Sequence, residues 1–192
     1  LKGRIGCFLA IGIIVLIIIV IGVIFLGNYN SLVTKSQAID GQWAQVETQY
    51  QRRLDLIPNL VATVKGYMTQ EQTVFAQIAD ARTKYAGAQT TDAKAVAGGE
   101  VESALARLLV IMENYPELKS ITAVTQLMDE LAGTENRISV ERKRYNDLVL
   151  VYNTSIKKFP NNLMASIFNF NTREYFKSVS GADQAPVVDF SK

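Results

Sequence analysis

The stretch RRLDLIPNLV, residues 52–61, sets a proline in the middle of an otherwise helical apolar pattern. Proline inside a helix removes one backbone hydrogen bond and costs about 3 kcal/mol. How the chain carries Pro58 decides whether this region is one helix or two. Trp43, Val46, Tyr50, Leu54, Ile57, Val61, Val64, Met68, Phe75, Ile78 and Tyr85 fall at steps of three, four or seven. That is an a/d seam with a heptad period. The seam keeps its phase across Pro58, as a bent continuous helix must and a hairpin has no reason to. The spacing predicts a kinked helix over residues 29–86, with Asp55 and Asn59 four apart and able to satisfy backbone groups freed at the kink. The alternative is a tight turn with Pro58 opening a second helix, since proline suits a first helical turn.

Upstream, residues 5–27 contain no charge and no proline and include IGIIVLIIIVIGVIFLG. A helix of this length rises about 35 Å, against about 30 Å for the hydrocarbon of a bilayer. This predicts a transmembrane helix. A cleaved signal peptide fits less well, because the apolar run is too long and no A-x-A-like site follows. Lipidation of Cys7 fits poorly too, because the apolar run follows the cysteine. All eighteen acids and eighteen of the twenty bases lie after residue 34, so the net +2 comes from Lys2 and Arg4. Positive charge before the span predicts a cytoplasmic N-terminus and an extracytoplasmic body in the cell membrane. The body is formally neutral, which argues against nucleic acid as a partner. Gly6 and Ala10 have small-xxx-small spacing, a weak sign of helix association in the membrane.

Downstream, GAQTTDAKAVAGGE reads as a loop with a possible cap at Thr90, Thr91 or Asp92. A shorter helix follows, seamed by Val101, Leu105, Leu108, Met112 and Tyr115. The apolar phase slips across Pro116, so this proline is expected to start a new helix. That helix should run over residues 117–159, seamed by Ile121, Val124, Met128, Leu131, Ile138, Tyr145, Val149, Tyr152 and Ile156, and weakened at Gly133 by about 1 kcal/mol. NNLMASIFNF and REYF read as short apolar helical turns packed back on the bundle. The expected organisation is a stub at 1–4, a transmembrane helix at 5–27, a bundle at 28–178 and a mobile tail at 179–192.

The chain has no histidine and one cysteine, which removes the commonest general base, the commonest metal ligand and any intrachain disulfide. Carboxylates are plentiful, but no phosphate loop or nucleophile accompanies them, and a di-iron bundle would need Glu-x-x-His pairs. No catalytic, cofactor-binding or metal residue is assigned. The densest polar group is Arg52, Arg53, Asp55 and Asn59. It is either a solvated face around the Pro58 kink or a binding site for an anionic headgroup or a peptide. Two heptad-spaced pairs, Tyr145-Asn146 and Tyr152-Asn153, predict packing, with tyrosines in the seam and asparagines setting helix register.

The words RRLDLIPNLVATVKGYM, ENYPELK, GTENRI, RYND…VYN and FPNN occur in this order. They resemble the LemA family of bacterial membrane-anchored helical proteins over residues 29–178. The resemblance implies an all-α bundle behind one N-terminal membrane helix, and no known enzymatic activity. Together these readings predict an elongated antiparallel bundle of about four helices behind a single membrane span. The expected function is a non-catalytic scaffold, anchored in the lipid bilayer, that homo-oligomerises and docks another membrane or envelope protein. The alternative is a ligand- or lipid-binding sensor using the polar cluster at Pro58.

Overall fold

The structure is a computed structural model describing the backbone of residues 2–176 and the side chains of residues 11–176. The predicted tail at 179–192 lies outside the described residues, as do the side chains of Lys2, Arg4, Cys7 and Ala10. The fold is an all-α helical bundle, with no strand among the described residues. Its elements are α1 (Lys2–Val64), α2 (Gln72–Gly87), α3 (Thr91–Met112), a 3-10 helix (Pro116–Ser120), α4 (Thr122–Lys157) and α5 (Asn161–Phe168).

Pro58 lies inside α1, which runs through it without interruption. The helix predicted over residues 29–86 is nonetheless two helices. Its break comes at Val64, six residues after the proline. Tyr67 N–H donates to the Val64 carbonyl at 2.9 Å and Met68 N–H to the same oxygen at 3.1 Å, closing the last turn. α2 then begins at Gln72. Periodicity missed this break because Met68 and Phe75, seven residues apart on either side of α2's start, are both buried. The connector keeps the heptad count while abandoning the helix.

The predicted loop over residues 87–100 shrinks to a short turn. Thr90 Oγ1 caps α3 by accepting from Ala93 N–H at 3.1 Å, so the helix starts at Thr91. Gly98 and Gly99 are therefore helical and buried. A Cβ at Gly98 would fall 2.6 Å from the Tyr50 ring, so glycine here serves close approach to an aromatic ring and not a loop. Pro116 does open a new element, but a five-residue 3-10 helix, and the long helix starts only at Thr122.

The chain forms two compact units. One comprises Leu1–Gly41 and Asp147–Arg173. Its core contains Leu32, Ile39, Val149, Tyr152, Ile156 and Met164. Lys35 Nζ donates to Ser155 Oγ at 2.6 Å. Before this core, the large apolar side chains from Ile11 to Leu26, half-buried Phe25 apart, are 48–65 % exposed. Here α1 ties nothing together; it presents hydrocarbon all round.

The other unit comprises Gln42–Asn146 and Glu174–Lys192. Val46, Tyr50, Leu54, Ile57, Leu60 and Val64 of α1 are buried, together with Ile78 of α2, Val101, Leu105 and Leu108 of α3, and Leu118, Val124 and Ile138 further on. Most of the predicted seam thus faces the core; Trp43, Val61, Tyr115, Ile121 and Met128 are half-buried, and Leu60 takes the buried place expected of Val61. α2 and α3 pack on each other across their short connection.

Candidate functional site

The predicted group Arg52, Arg53, Asp55 and Asn59 does not assemble. Arg52, Asp55 and Asn59 are exposed. Asp55 Oδ1 accepts from Gln51 Nε2 at 2.8 Å. Arg53 is 2 % exposed and points into the bundle. Residue spacing explains the split. Arg53 stands three after Tyr50 and four before Ile57, on the seam itself, whereas Arg52, Asp55 and Asn59 fall off it.

Inside, Arg53 meets residues that sequence reasoning did not group with it. Its Nη1 lies 3.5 Å from Glu102 Oε1 on α3. Its Nη2 pairs with Glu135 and its Nε donates to Thr134 Oγ1 at 3.4 Å, both on α4. Arg142 of α4 also pairs with Glu102 and donates to the Tyr50 hydroxyl, which in turn donates to Glu102 Oε1 at 3.1 Å. The Arg142 guanidinium stands 4.4 Å from the Phe176 ring centroid, a cation–π contact. Two arginines and two glutamates balance one another, as burial of charge requires. Burial, reinforced by the Glu135 charge, pushes Glu102 up to about 7 against the pull of Arg53. Burial brings Arg142 down to about 10. The word GTENRI carried Thr134 and Glu135, but nothing in the sequence tied them to Arg53.

Beside this network lies a shallow depression of about 320 Å³, lined by Gln51, Arg82, Tyr85, Gln89 and Lys94 among others. Arg82 Nε and the Tyr85 hydroxyl are buried without a hydrogen-bond partner among the described residues. Burial and the nearby Glu47 charge push the Tyr85 hydroxyl up, so it stays a neutral donor. Lys94 pairs with Glu47. Among the described residues no group of three or more Cys, Asp or Glu is placed to hold a metal ion.

The two Tyr-Asn pairs hold an extended segment and not a neighbouring helix. In one unit, Asn153 Nδ2 donates to the Arg173 carbonyl and Asn153 Oδ1 accepts from Arg173 N–H, both at 2.9 Å. Arg173 Nη2 then reaches Ser36 Oγ at 3.0 Å and Asp40 Oδ1 at 3.1 Å. In the other, Asn146 makes the same pair of bonds with Phe176, at 3.1 and 2.8 Å. Each amide copies the donor-acceptor pairing of a β-ladder. Tyr145 is buried, donates to the Glu174 carbonyl at 3.1 Å and stacks edge-on against Trp43; Tyr152 is buried in its own unit's core.

These side chains are concentrated where the chain matches known proteins. A family model for LemA matches residues 42–190. The chain belongs to the LemA family. It is 28% identical over 187 residues to "Magnetosome protein MamQ 2" of Paramagnetospirillum magneticum, covering 84% of this chain and 68% of that protein. It is 26% identical over 213 residues to "Magnetosome protein MamQ" of Magnetospirillum gryphiswaldense, covering 97% and 77%. "Protein LemA" of Metamycoplasma hominis is 22% identical over 156 residues, covering 79% and 71%. The LemA match includes the whole Arg53–Glu102–Glu135–Arg142 network and both asparagines.

Proposed function

We propose that this LemA-family chain is a non-catalytic scaffold, anchored in a lipid bilayer by α1, that self-associates and docks another membrane or envelope protein. The observation that carries the reading is α1 itself. One continuous helix passes from an outward-facing apolar stretch with a mean hydropathy of 3.0 into the buried seam of the bundle. An anchor without a flexible linker suits a part that holds a partner in place. The charged side chains of Arg53, Glu102, Glu135 and Arg142 are engaged with one another, which suits structure better than turnover. Lys2 and Arg4 favour a cytoplasmic N-terminus, with the body on the opposite side of the cell membrane.

Crosslinking of the full chain in intact cells tests the scaffold. It should yield self-adducts and a recurrent membrane or envelope protein. A strict monomer at every concentration in detergent, with no adducts in cells, overturns it. Protease added to spheroplasts should digest the body; protection reverses the orientation.

A second reading is supported by the depression beside Tyr85. The unpaired Arg82 Nε and Tyr85 hydroxyl are both donors, so a small anion is the ligand chemistry they suit. A sensor would gain melting temperature saturably with phosphate or a dicarboxylate, and Arg82→Ala would abolish the gain. A scaffold shows neither.

A further inference from the structure

α5 and the turn before it leave large apolar side chains uncovered. Leu163 is 51 % exposed and Ile167 62 %, four apart on one face of α5, and Phe159 in the preceding turn is 80 % exposed. Met164 is the residue of α5 that is buried, so the helix spends only one side on its own core. Asn169 in the left-handed conformation ends α5, and Phe170 N–H donates to the Ala165 carbonyl at 2.9 Å, a glycine-like cap that holds the helix's end in place.

The place of this helix is set by aromatic contacts to α1. The Tyr29 ring centroid lies 4.9 Å from that of Phe168 and 5.8 Å from that of Phe170. Tyr29 follows the last exposed apolar residue of the α1 run, Leu26, by three positions, about 4.5 Å of helix. That is the depth at which tyrosine rings sit in membrane-water interfaces. Lys157 and Lys158 are exposed immediately before Phe159, where cations meet anionic headgroups. An amphipathic helix with these neighbours lies in the interfacial plane.

We infer that α5 is a second membrane contact: Phe159, Leu163 and Ile167 enter the interfacial layer of the leaflet from which α1 emerges. The occupant of the apolar face is lipid, because that face is continuous, through Tyr29 and Phe168, with the exposed cylinder of α1. The inference rests on α1 spanning the bilayer, so the test measures both. The full chain carrying Cys7→Ser receives single cysteines at Ile18, Ile167 or Asn162, each labelled with a small fluorophore. The labelled chains are placed in vesicles of phosphatidylethanolamine and phosphatidylglycerol with brominated acyl chains. The labels at 18 and 167 should lose most of their emission, and the one at 162 should respond instead to aqueous iodide. Quenching at 18 with iodide access at 167 overturns the second contact and leaves the span intact. Iodide access at 18 overturns both. A label at 167 shielded from bromine and iodide alike places a second protein copy on this face, and also overturns the inference.

Discussion

Gly98 and Gly133 both occupy helix interiors, and their surroundings reverse the sign of the same substitution. Alanine at Gly98 meets Tyr50 at 2.6 Å, and Tyr50 is fully buried with its hydroxyl tied to Glu102 and Arg142. Overpacking of about 1–3 kcal/mol should outweigh a helix-propensity gain of about 1 kcal/mol. Gly98→Ala is expected to lower the urea midpoint. Nothing lies within 4 Å of a Cβ at Gly133, so Gly133→Ala should raise the midpoint through a stability gain of about 1 kcal/mol. Charge follows the same logic. Arg53→Ala removes the partner of half-exposed Glu135 and leaves Glu102 to Arg142 alone, and should cost about 1–3 kcal/mol, while Arg52→Ala on the outside should stay within about 0.5 kcal/mol. Glu102 adds a pH dependence, set first by its burial, then by the Glu135 charge, against the pull of Arg53. It rises from 4.5 to about 7 on folding, so the folded chain binds the proton more tightly. Its contribution is fully present below pH 4.5 and lost as pH rises through 7. Melts of Glu102→Gln between these limits should be flatter with pH than those of the parent.

At the scale of elements, the asparagine clamps explain why the chain after α5 is held without being helical. Within one unit Asn153 holds the backbone of Arg173, and within the other Asn146 holds that of Phe176. Asn153→Ala would leave the N–H and carbonyl of Arg173 unpaired, at a cost of about 1–3 kcal/mol. Amide exchange at residues 170–176 should quicken in that variant, with little change in α2 and α3. The spacing of the Tyr-Asn pairs was legible in the sequence, but their partner was not. A register-setting asparagine and a strand-gripping one look identical until the other backbone is in view. Periodicity likewise placed Val46, Tyr50, Ile57, Val124, Ile138 and Tyr152 in the core. It failed at Val64 because the connector spans a whole heptad, and at Gly98 because a buried glycine pair reads like a turn.

For the molecule as a whole, the long apolar N-terminal helix was the most legible feature, since twenty-three uncharged residues admit few readings. The buried polar network was legible only in part. Arg53 was singled out, but its exposed neighbours were grouped with it, because sequence proximity was taken for spatial proximity. If α1 holds the chain in lipid, Ile17→Asp together with Ile18→Asp should release it. Each aspartate costs about 3 kcal/mol at the centre of a span. After carbonate extraction the double variant should leave the membrane pellet, whereas a Leu pair at the same positions should stay.

The Arg173 bridge to Asp40 has a consequence for synthesis. The two residues are separated by 133 positions. At about 5–20 residues per second, translation from one to the other takes roughly 7–27 s. Throughout that interval α1 is already emerging while Leu32 and Ile39 await the C-terminal half that will cover them. A nascent chain stalled before residue 147 should therefore leave this sticky face open to chaperones on the side of the membrane that the body enters, and one stalled far enough beyond residue 173 for that residue to reach the same side should not.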